Sequence, residues 1–171
     1  YFVPSKLTAQ DGMDVNLKSF EKITIDGNVS ATLRGSIGAD TLVGDDGADT
    51  LEGRGGADIL TGGNRQDTFV FTSGDTGITE ATADTITDFV SGNDLLDLTA
   101  ITNGNIGTYV EASGAGNNFG TFTGNATTSF TGSAVDIYVE YNLNGSGNTY
   151  ILVDEARNGS VSAGDTLLIL S

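Results

Sequence analysis

GADTLVGDDGADTLEGRGGADIL, residues 38–60, contains the pattern Gly-Ala-Asp three times, at intervals of nine residues. Each copy continues with Thr or Ile and then Leu. Glycine permits tight turns and close backbone approach, so each unit is interpreted as a six-residue turn followed by a three-residue strand. In register, the units cover 35–43, 44–52, 53–61 and 62–70, and 26–34 is an imperfect copy with Ala31 in place of the aspartate.

The strand part of each unit has one apolar residue at its centre, in turn Leu42, Leu51, Leu60 and Phe69. Two units whose strands run in opposite directions would form one coil of a flattened solenoid, with these side chains inside. Units two apart then stack on each other. This arrangement predicts Leu42 over Leu60 and Leu51 over Phe69.

The same stacking places Asp40 beside Asp58, and Asp49 beside Asp67. Adjacent strands lie about 4.7–4.9 Å apart, and two bare carboxylates at that distance repel by about 3–4 kcal/mol at an effective dielectric constant near 20. Ca²⁺ would remove this repulsion, because it takes six or more oxygen ligands at about 2.3–2.6 Å. Mg²⁺ is less suited because of its strict octahedral geometry, and a chain without His or Cys offers little to zinc or copper. The aspartate pairs therefore predict calcium between stacked units.

The composition agrees with a cation-binding protein. Among 171 residues, 23 are acidic and 7 are basic, and the net charge is -16. This balance argues against binding to nucleic acid or to an anionic membrane surface. The longest aliphatic run near the end, 167–170, is too short for a transmembrane segment. Because the chain begins with Tyr1 rather than Met, we expect it to be part of a larger protein.

The remaining sequence predicts an all-β protein, because no segment shows a sustained helical apolar stripe. We expect lead-in strands that form an N-terminal cap over 1–25 (among them 17–20 and 22–25), the repeat region over 26–71, and a C-terminal β domain over 72–171. The nine-residue pattern ends after Phe71. Loops and short strands with isolated phenylalanine anchors (Phe119, Phe122, Phe130) are expected over 111–134, and a β-hairpin pairs 135–141 with 149–153.

The repeat resembles the nonapeptide G-G-x-G-x-D-x-U-x of the calcium-binding RTX (repeats-in-toxin) proteins. That resemblance implies a right-handed parallel β-roll with Ca²⁺ between the turns. It also implies ligands from backbone carbonyls and aspartates of units two apart. One site would use Ser36, Gly38 and Asp40 with Gly53, Gly55 and Asp58. The second would use Asp45, Gly47 and Asp49 with Gly62, Asn64 and Asp67.

The segments 67–71, 84–89 and 92–98 resemble the region that follows the β-roll in serralysin-type proteases and other type I-secreted proteins. This resemblance implies a β-sandwich-like C-terminal cap and a region carrying the secretion signal. The partner implied is the ABC-transporter secretion machinery, and the location implied is extracellular.

Weaker metal candidates lie outside the four units. Asp84 is either a structural residue or part of a last calcium half-site. Asp154, Asn158 and Asp165 have spacing like that of an EF-hand loop, but Ala156 lacks the oxygen expected at the third position and strands flank the segment. A plain loop between two strands is the simpler interpretation there.

Catalysis is not expected within this chain. Without His or Cys, no Ser-His-Asp or Cys-His arrangement can form. We expect the C-terminal calcium-binding module of a larger extracellular bacterial protein that folds on binding calcium after type I secretion. A surface-layer or adhesin parent, with self-assembly or cell-surface partners, fits the Thr-, Gly- and Asn-rich composition. The alternative parent is a secreted protease or lipase with its catalytic domain upstream.

Overall fold

A computed structural model describes residues 7–8, 13–16, 22–102, 106–113, 118–129, 135–141 and 145–171. The strands and helices, in chain order, are β1 Leu7–Thr8, β2 Met13–Asn16, β3 Lys22–Asp26, β4 Ala31–Arg34, β5 Thr41–Val43, β6 Thr50–Glu52, β7 Ile59–Thr61, β8 Thr68–Val70, β9 Asp84–Ile86, β10 Leu95–Asp97, α1 Thr99–Thr102, β11 Ile106–Ser113, α2 Phe119–Ser129, β12 Val135–Tyr141, β13 Thr149–Asp154 and β14 Thr166–Leu170.

Successive strands of the repeat region alternate between two sheets. One sheet has the order β10-β8-β6-β4-β2, and the other has the order β1-β3-β5-β7-β9-β14-β13-β12-β11. Every pair from β1 to β10 is parallel. The chain therefore winds as a parallel β-roll with two strands per coil, which confirms the predicted fold class.

The centre of each short strand points into the space between the sheets. Leu42 pairs with Leu60 in β5 and β7, and Leu51 pairs with Phe69 in β6 and β8, as predicted. All four side chains are fully buried, while their neighbours on the strands are partly exposed. Burial of one such side chain contributes about 1.5–3 kcal/mol. Each coil thus has only a thin apolar core.

The roll continues beyond Phe71, where the nine-residue spacing ends. β9 stacks on β7 with Ile86 beside Leu60, and β10 stacks on β8 with Leu96 beside Phe69. The nine-residue spacing ends at Phe71, as expected. The roll itself extends beyond the expected boundary of 26–71, because β9 and β10 form one more coil. The longer connections 71–83 and 87–94 keep the strands in register while breaking the period.

The C-terminal strands extend the nine-stranded sheet. β14 lies parallel to β9, and the β13–β14 and β12–β13 pairs are antiparallel. The predicted hairpin between 135–141 and 149–153 is confirmed by the second of these pairs. Ile137 and Val139 of β12 face the core of the roll, whereas Tyr138 faces a second core with Phe122, Leu152 and Leu167.

Helix α2, residues 119–129, replaces part of the loops and short strands expected there. Asn118 caps its first turn, because its Oδ1 accepts the amide of Thr121 at 2.9 Å. Phe119, Phe122 and Ala126 have helical spacing and pack toward the second core. The prediction failed because six glycine and threonine residues within the helix hide this short stripe.

Two of the predictions lie outside the described residues, namely the strand at 17–20 and the anchor at Phe130. Strand 22–25 is confirmed as part of β3. Within the described ranges, no helix is both long enough and apolar enough to cross a lipid bilayer.

Candidate calcium sites

The turns of the roll lie along two opposite edges, because each turn connects one sheet to the other. The first edge consists of the turns 35–40 and 53–58 and the connection 71–83. The second edge consists of the turns 27–30, 44–49 and 62–67 and the connection 87–94. Aspartates that are nine residues apart therefore lie on different edges, and those eighteen apart lie on the same edge.

Along each edge, a carboxylate of one coil accepts the backbone amide of the coil before it. On the first edge, Oδ1 of Asp58 accepts the amide of Asp40 at 2.8 Å, and Oδ1 of Asp84 accepts the amide of Asp58 at 2.9 Å. We call such a series a carboxylate ladder. The same ladder runs along the second edge, where the bonds are Ala31 to Asp49, Asp49 to Asp67 and Asp67 to Asp94, at 2.7, 2.8 and 3.0 Å.

The second oxygen of most ladder carboxylates is buried without a partner. This holds for Oδ2 of Asp49, Asp58, Asp67 and Asp84. None of these residues is more than 1% exposed. Burying an ionised carboxylate oxygen without a counter-charge or a hydrogen bond costs several kcal/mol. Each of these oxygens is thus a natural ligand atom for a cation.

The pKa values of these aspartates reflect the same burial. Burial, opposed in part by the backbone hydrogen bonds, raises the pKa of Asp49, Asp58 and Asp67 to about 6, and nearby aspartates add to the rise. Burial raises the pKa of Asp84 further, to about 8, with contributions from the charges of Asp58 and Asp75. In the metal-free protein, these groups hold a proton more tightly than an exposed carboxyl does, because no positive charge compensates them.

Glycines leave open the space in front of these carboxylates. A Cβ placed on Gly35 would lie 2.3 Å from the carbonyl oxygen of Gly53 and 2.9 Å from Oδ2 of Asp40. A Cβ on Gly44 would lie 2.6 Å from the carbonyl oxygen of Gly62 and 2.5 Å from Oδ2 of Asp49. The two edges therefore repeat one cradle, in which a carbonyl oxygen and a carboxylate oxygen converge on a glycine. These oxygen donors fit Ca²⁺.

The structure brings together the residues of each predicted ligand set. Turn 35–40, with Ser36, Gly38 and Asp40, stacks on turn 53–58, with Gly53, Gly55 and Asp58, and the amide of Gly55 donates to the carbonyl of Ser36 at 3.3 Å. The second set stacks likewise (Asp45, Gly47 and Asp49 against Gly62, Asn64 and Asp67). There the amide of Asn64 donates to the carbonyl of Asp45 at 2.7 Å. Which of these atoms bind the ion stays a prediction.

Backbone carbonyls would have to supply many of the ligands. In the described part of the chain, no three His, Cys, Asp or Glu side chains converge in a way suited to a metal. A bound Ca²⁺ would be held by paired aspartates and by the carbonyls of the glycine-rich turns. It would supply the positive charge that the ladders lack.

Asp84 and Asp75 extend the first edge. Asp84 occupies the ladder position after Asp58, and the tripeptide Asp84-Thr85-Ile86 repeats the Asp-Thr-Leu of the earlier units. Asp75 was missed, because its place depends on the path of the connection 71–83 rather than on any periodic spacing. Its Oδ2 accepts the amide and hydroxyl of Thr72, at 2.6 and 2.9 Å, and its charge raises the pKa of both Asp58 and Asp84.

In the loop between β13 and β14, backbone amides of the loop donate hydrogen bonds to its acidic side chains. Asp154 accepts the amides of Asn158 and Gly159, and Asp165 accepts those of Ala156 and Ser162. Burial is the main cause of the raised pKa of Asp165. Both carboxylates therefore have hydrogen-bond partners within the loop itself, which explains their positions. Asp154, Asn158 and Asp165 therefore stay weaker metal candidates.

Parallel coils with an aspartate ladder and open glycine cradles along both edges define a calcium-binding RTX repeat module. The family model described as the serralysin C-terminal region of peptidase M10 matches residues 4–162, and the chain belongs to this family. Its RTX repeats bind calcium, and its members are secreted. No curated protein matches the chain.

Proposed function

We propose that this chain is the C-terminal calcium-dependent folding module of a larger extracellular bacterial protein exported by a type I ABC transporter. The observation that carries the proposal is the row of buried, unpartnered Oδ2 atoms on Asp49, Asp58, Asp67 and Asp84. When the aspartates are ionised, these atoms oppose the compact state, and calcium removes that opposition.

The coupling follows from mass action. A ligand that binds only the folded state stabilises it by RT ln(1 + [L]/Kd), about 4.1 kcal/mol when the ligand is a thousandfold above Kd. The thin core described above provides little apolar stabilisation per coil, so a gain of this size decides whether the roll forms. Low cytosolic calcium keeps the module loose and exportable, and higher extracellular calcium folds it. The module itself carries out no catalysis.

Differential scanning calorimetry of the whole chain tests the proposal. We expect a large rise in Tm between excess chelator and millimolar Ca²⁺, and a much smaller rise with Mg²⁺. Asp46→Asn is a matched control, because Asp46 lies in a repeat turn but outside both ladders. The control should keep the calcium response. An equal Tm with and without calcium would refute calcium-dependent folding.

Two classes of parent protein follow from different observations. The family match supports a secreted hydrolase, with this module behind a catalytic domain. The Thr-, Gly- and Asn-rich sequence without cysteine supports a surface-layer or adhesin protein. The sequence upstream of Tyr1 distinguishes them, since a His-Glu-x-x-His helix or a nucleophile elbow marks the hydrolase. A calcium-dependent two-dimensional lattice seen by electron microscopy marks the surface layer.

A further inference from the structure

The two stacked turn pairs that fit calcium differ in charge. The first pair, turns 35–40 and 53–58, carries Asp40, Asp58 and Arg54, for a net charge of -1. The second pair, turns 44–49 and 62–67, carries four aspartates (Asp45, Asp46, Asp49 and Asp67) and Arg65, for a net charge of -3. The second pair therefore attracts a divalent cation more strongly, before any difference in ligands is considered.

Arg54 lies directly against the first cradle. Its Nη1 donates to the carbonyl oxygen of Gly35 at 3.3 Å, and Gly35 is the residue on which Asp40 Oδ2 and the Gly53 carbonyl converge. Its Nε donates to Glu52 at 3.4 Å, and Glu52 also accepts Nε of Arg34 at 2.9 Å. The guanidinium is therefore held in place against turn 35–40, at the carbonyl of the cradle glycine.

Arg65 provides a contrast on the second edge. Both arginines have positive φ, 68° for Arg54 and 75° for Arg65, although Arg54 is the second residue of its unit and Arg65 the fourth. The Arg65 side chain is exposed, and within the described residues its guanidinium makes no hydrogen bond or ion pair. Its charge is free to move away from the second cradle.

Ser36 adds a second difference. Its amide and hydroxyl donate to Oδ2 of Asp40 at 2.6 and 2.8 Å, so this oxygen is already engaged within its own turn. The corresponding Oδ2 atom of Asp49 has no partner, and Oδ2 of Asp58 in the first pair and Oδ2 of Asp67 in the second are alike in having none. Calcium at the first pair has to compete with the bonds to Asp40 and finds one bare Oδ2, whereas at the second pair both Oδ2 atoms are bare.

We infer that Arg54 and Ser36 make the first turn pair the weaker calcium site, so that the second pair fills at lower calcium concentration. Arg54 acts as a resident positive charge that sets the affinity of the first pair. The inference rests on the proposed calcium-dependent folding and deepens it, because it gives the two edges a binding order.

Calcium titration of the whole chain, followed by isothermal calorimetry and ¹H–¹⁵N NMR, tests the order. Glycine amides report the two pairs separately, Gly38 and Gly55 for the first and Gly47 and Gly62 for the second. In the native sequence, the Gly47 and Gly62 signals should shift first. Arg54→Gln removes the charge and keeps a side chain at the left-handed position, and it should tighten the first pair about fivefold.

Arg65→Gln is the matched control, and it should change the affinity of the first pair less than twofold. Ser36→Ala should also tighten the first pair, because it removes one of the two donors to Asp40. Equal tightening of both pairs by Arg54→Gln would mean a general charge effect and would overturn the inference, as would filling of the first pair before the second. A chain that takes up no calcium at all would instead refute the proposed function.

Discussion

The amide of Asp40 donates a 2.8 Å hydrogen bond to Oδ1 of Asp58, eighteen residues further along the chain. This bond uses one carboxylate oxygen of Asp58 for the stacking of coils and leaves Oδ2 buried and free. Stacking and cation binding are therefore functions of two different atoms in the same side chain. Substitutions that keep one atom and change the other can separate them.

Asp58→Asn should have opposite effects with and without calcium. The amide oxygen can still accept the Asp40 hydrogen bond, but the buried charge and one calcium ligand are lost. Because burial raises the pKa of Asp58 to about 6, the variant should stabilise the calcium-free roll by about 2–3 kcal/mol near pH 8. In millimolar Ca²⁺ it should lower Tm and remove binding on the first edge.

Urea unfolding in chelator and calorimetry in calcium measure the two effects. Asp46→Asn should leave stability in chelator nearly unchanged and should keep most of the calcium response, since Asp46 is outside the ladders and contributes only its charge to the second edge. If Asp58→Asn lowers stability equally in chelator and in calcium, the carboxylate stabilises the roll by itself and the cation is not needed.

Without metal, the roll should become less stable as pH rises from about 4 to 8. The pKa values of Asp49, Asp58 and Asp67 are raised to about 6, and that of Asp84 to about 8. A raised pKa means that the folded state holds its proton more tightly than the unfolded state. The resulting stabilisation is complete below the unfolded pKa, near 4, and disappears as pH rises through the folded values.

With calcium, the dependence should reverse, because protons and Ca²⁺ compete for the same carboxylates. Calcium affinity should weaken as pH falls below about 6. Tm curves recorded against pH in chelator and in calcium test both directions. A Tm that climbs steadily from pH 4 to 8 in chelator would contradict the buried, uncompensated state of these aspartates.

The sequence predicted the roll and its pairings because the information is local and repeated. A glycine turn, an aspartate and a central apolar residue recur every nine residues, so the pairs Leu42–Leu60 and Asp40–Asp58 follow from the period alone. The coils of β9 and β10 could not be found in this way, since the connections 71–83 and 87–94 change the spacing. Asp75 was missed for the same reason.

The C-terminal region is less predictable, because its elements depend on each other. Strand β12 alternates apolar and polar residues, which predicts one buried face and one solvent-exposed face. In the structure, Asp136 and Glu140 are fully buried, and helix α2 packs against Tyr138 between them on the same face. The helix itself is weak in propensity, and its place is set by packing of Phe122 against Tyr138 and Tyr150.

Arg65→Gly should stabilise the folded module in calcium by about 0.5–1 kcal/mol, because a side chain at positive φ costs about that much. Arg65 is exposed, so little packing is lost. Gln66→Gly is the control at the next residue, which is also exposed and has no positive φ. The control should be neutral or destabilising. Urea unfolding in saturating Ca²⁺ measures the difference, and equal losses in both variants would rule out strain at Arg65.

Thr76 connects the last coil of the roll to the C-terminal sheet. Its buried hydroxyl donates to the carbonyl of Leu167 in β14 at 2.9 Å and accepts the amide of Asp84 at 2.9 Å. Thr76→Val keeps the shape but leaves a buried donor and acceptor unpaired, at about 1–3 kcal/mol each. We expect a clear loss of stability in calcium and earlier loosening of the C-terminal sheet, read from tyrosine fluorescence because the chain has no tryptophan.

Thr76→Ser restores the hydroxyl and should recover most of the loss. A valine variant as stable as the native protein would mean that Asp84 and β14 hold their places without this bridge. Because Asp84 follows Asp58 in the ladder, the bridge also predicts a weaker response to calcium in the valine variant than in the serine variant. A calcium titration of both variants, followed by circular dichroism, measures that response directly.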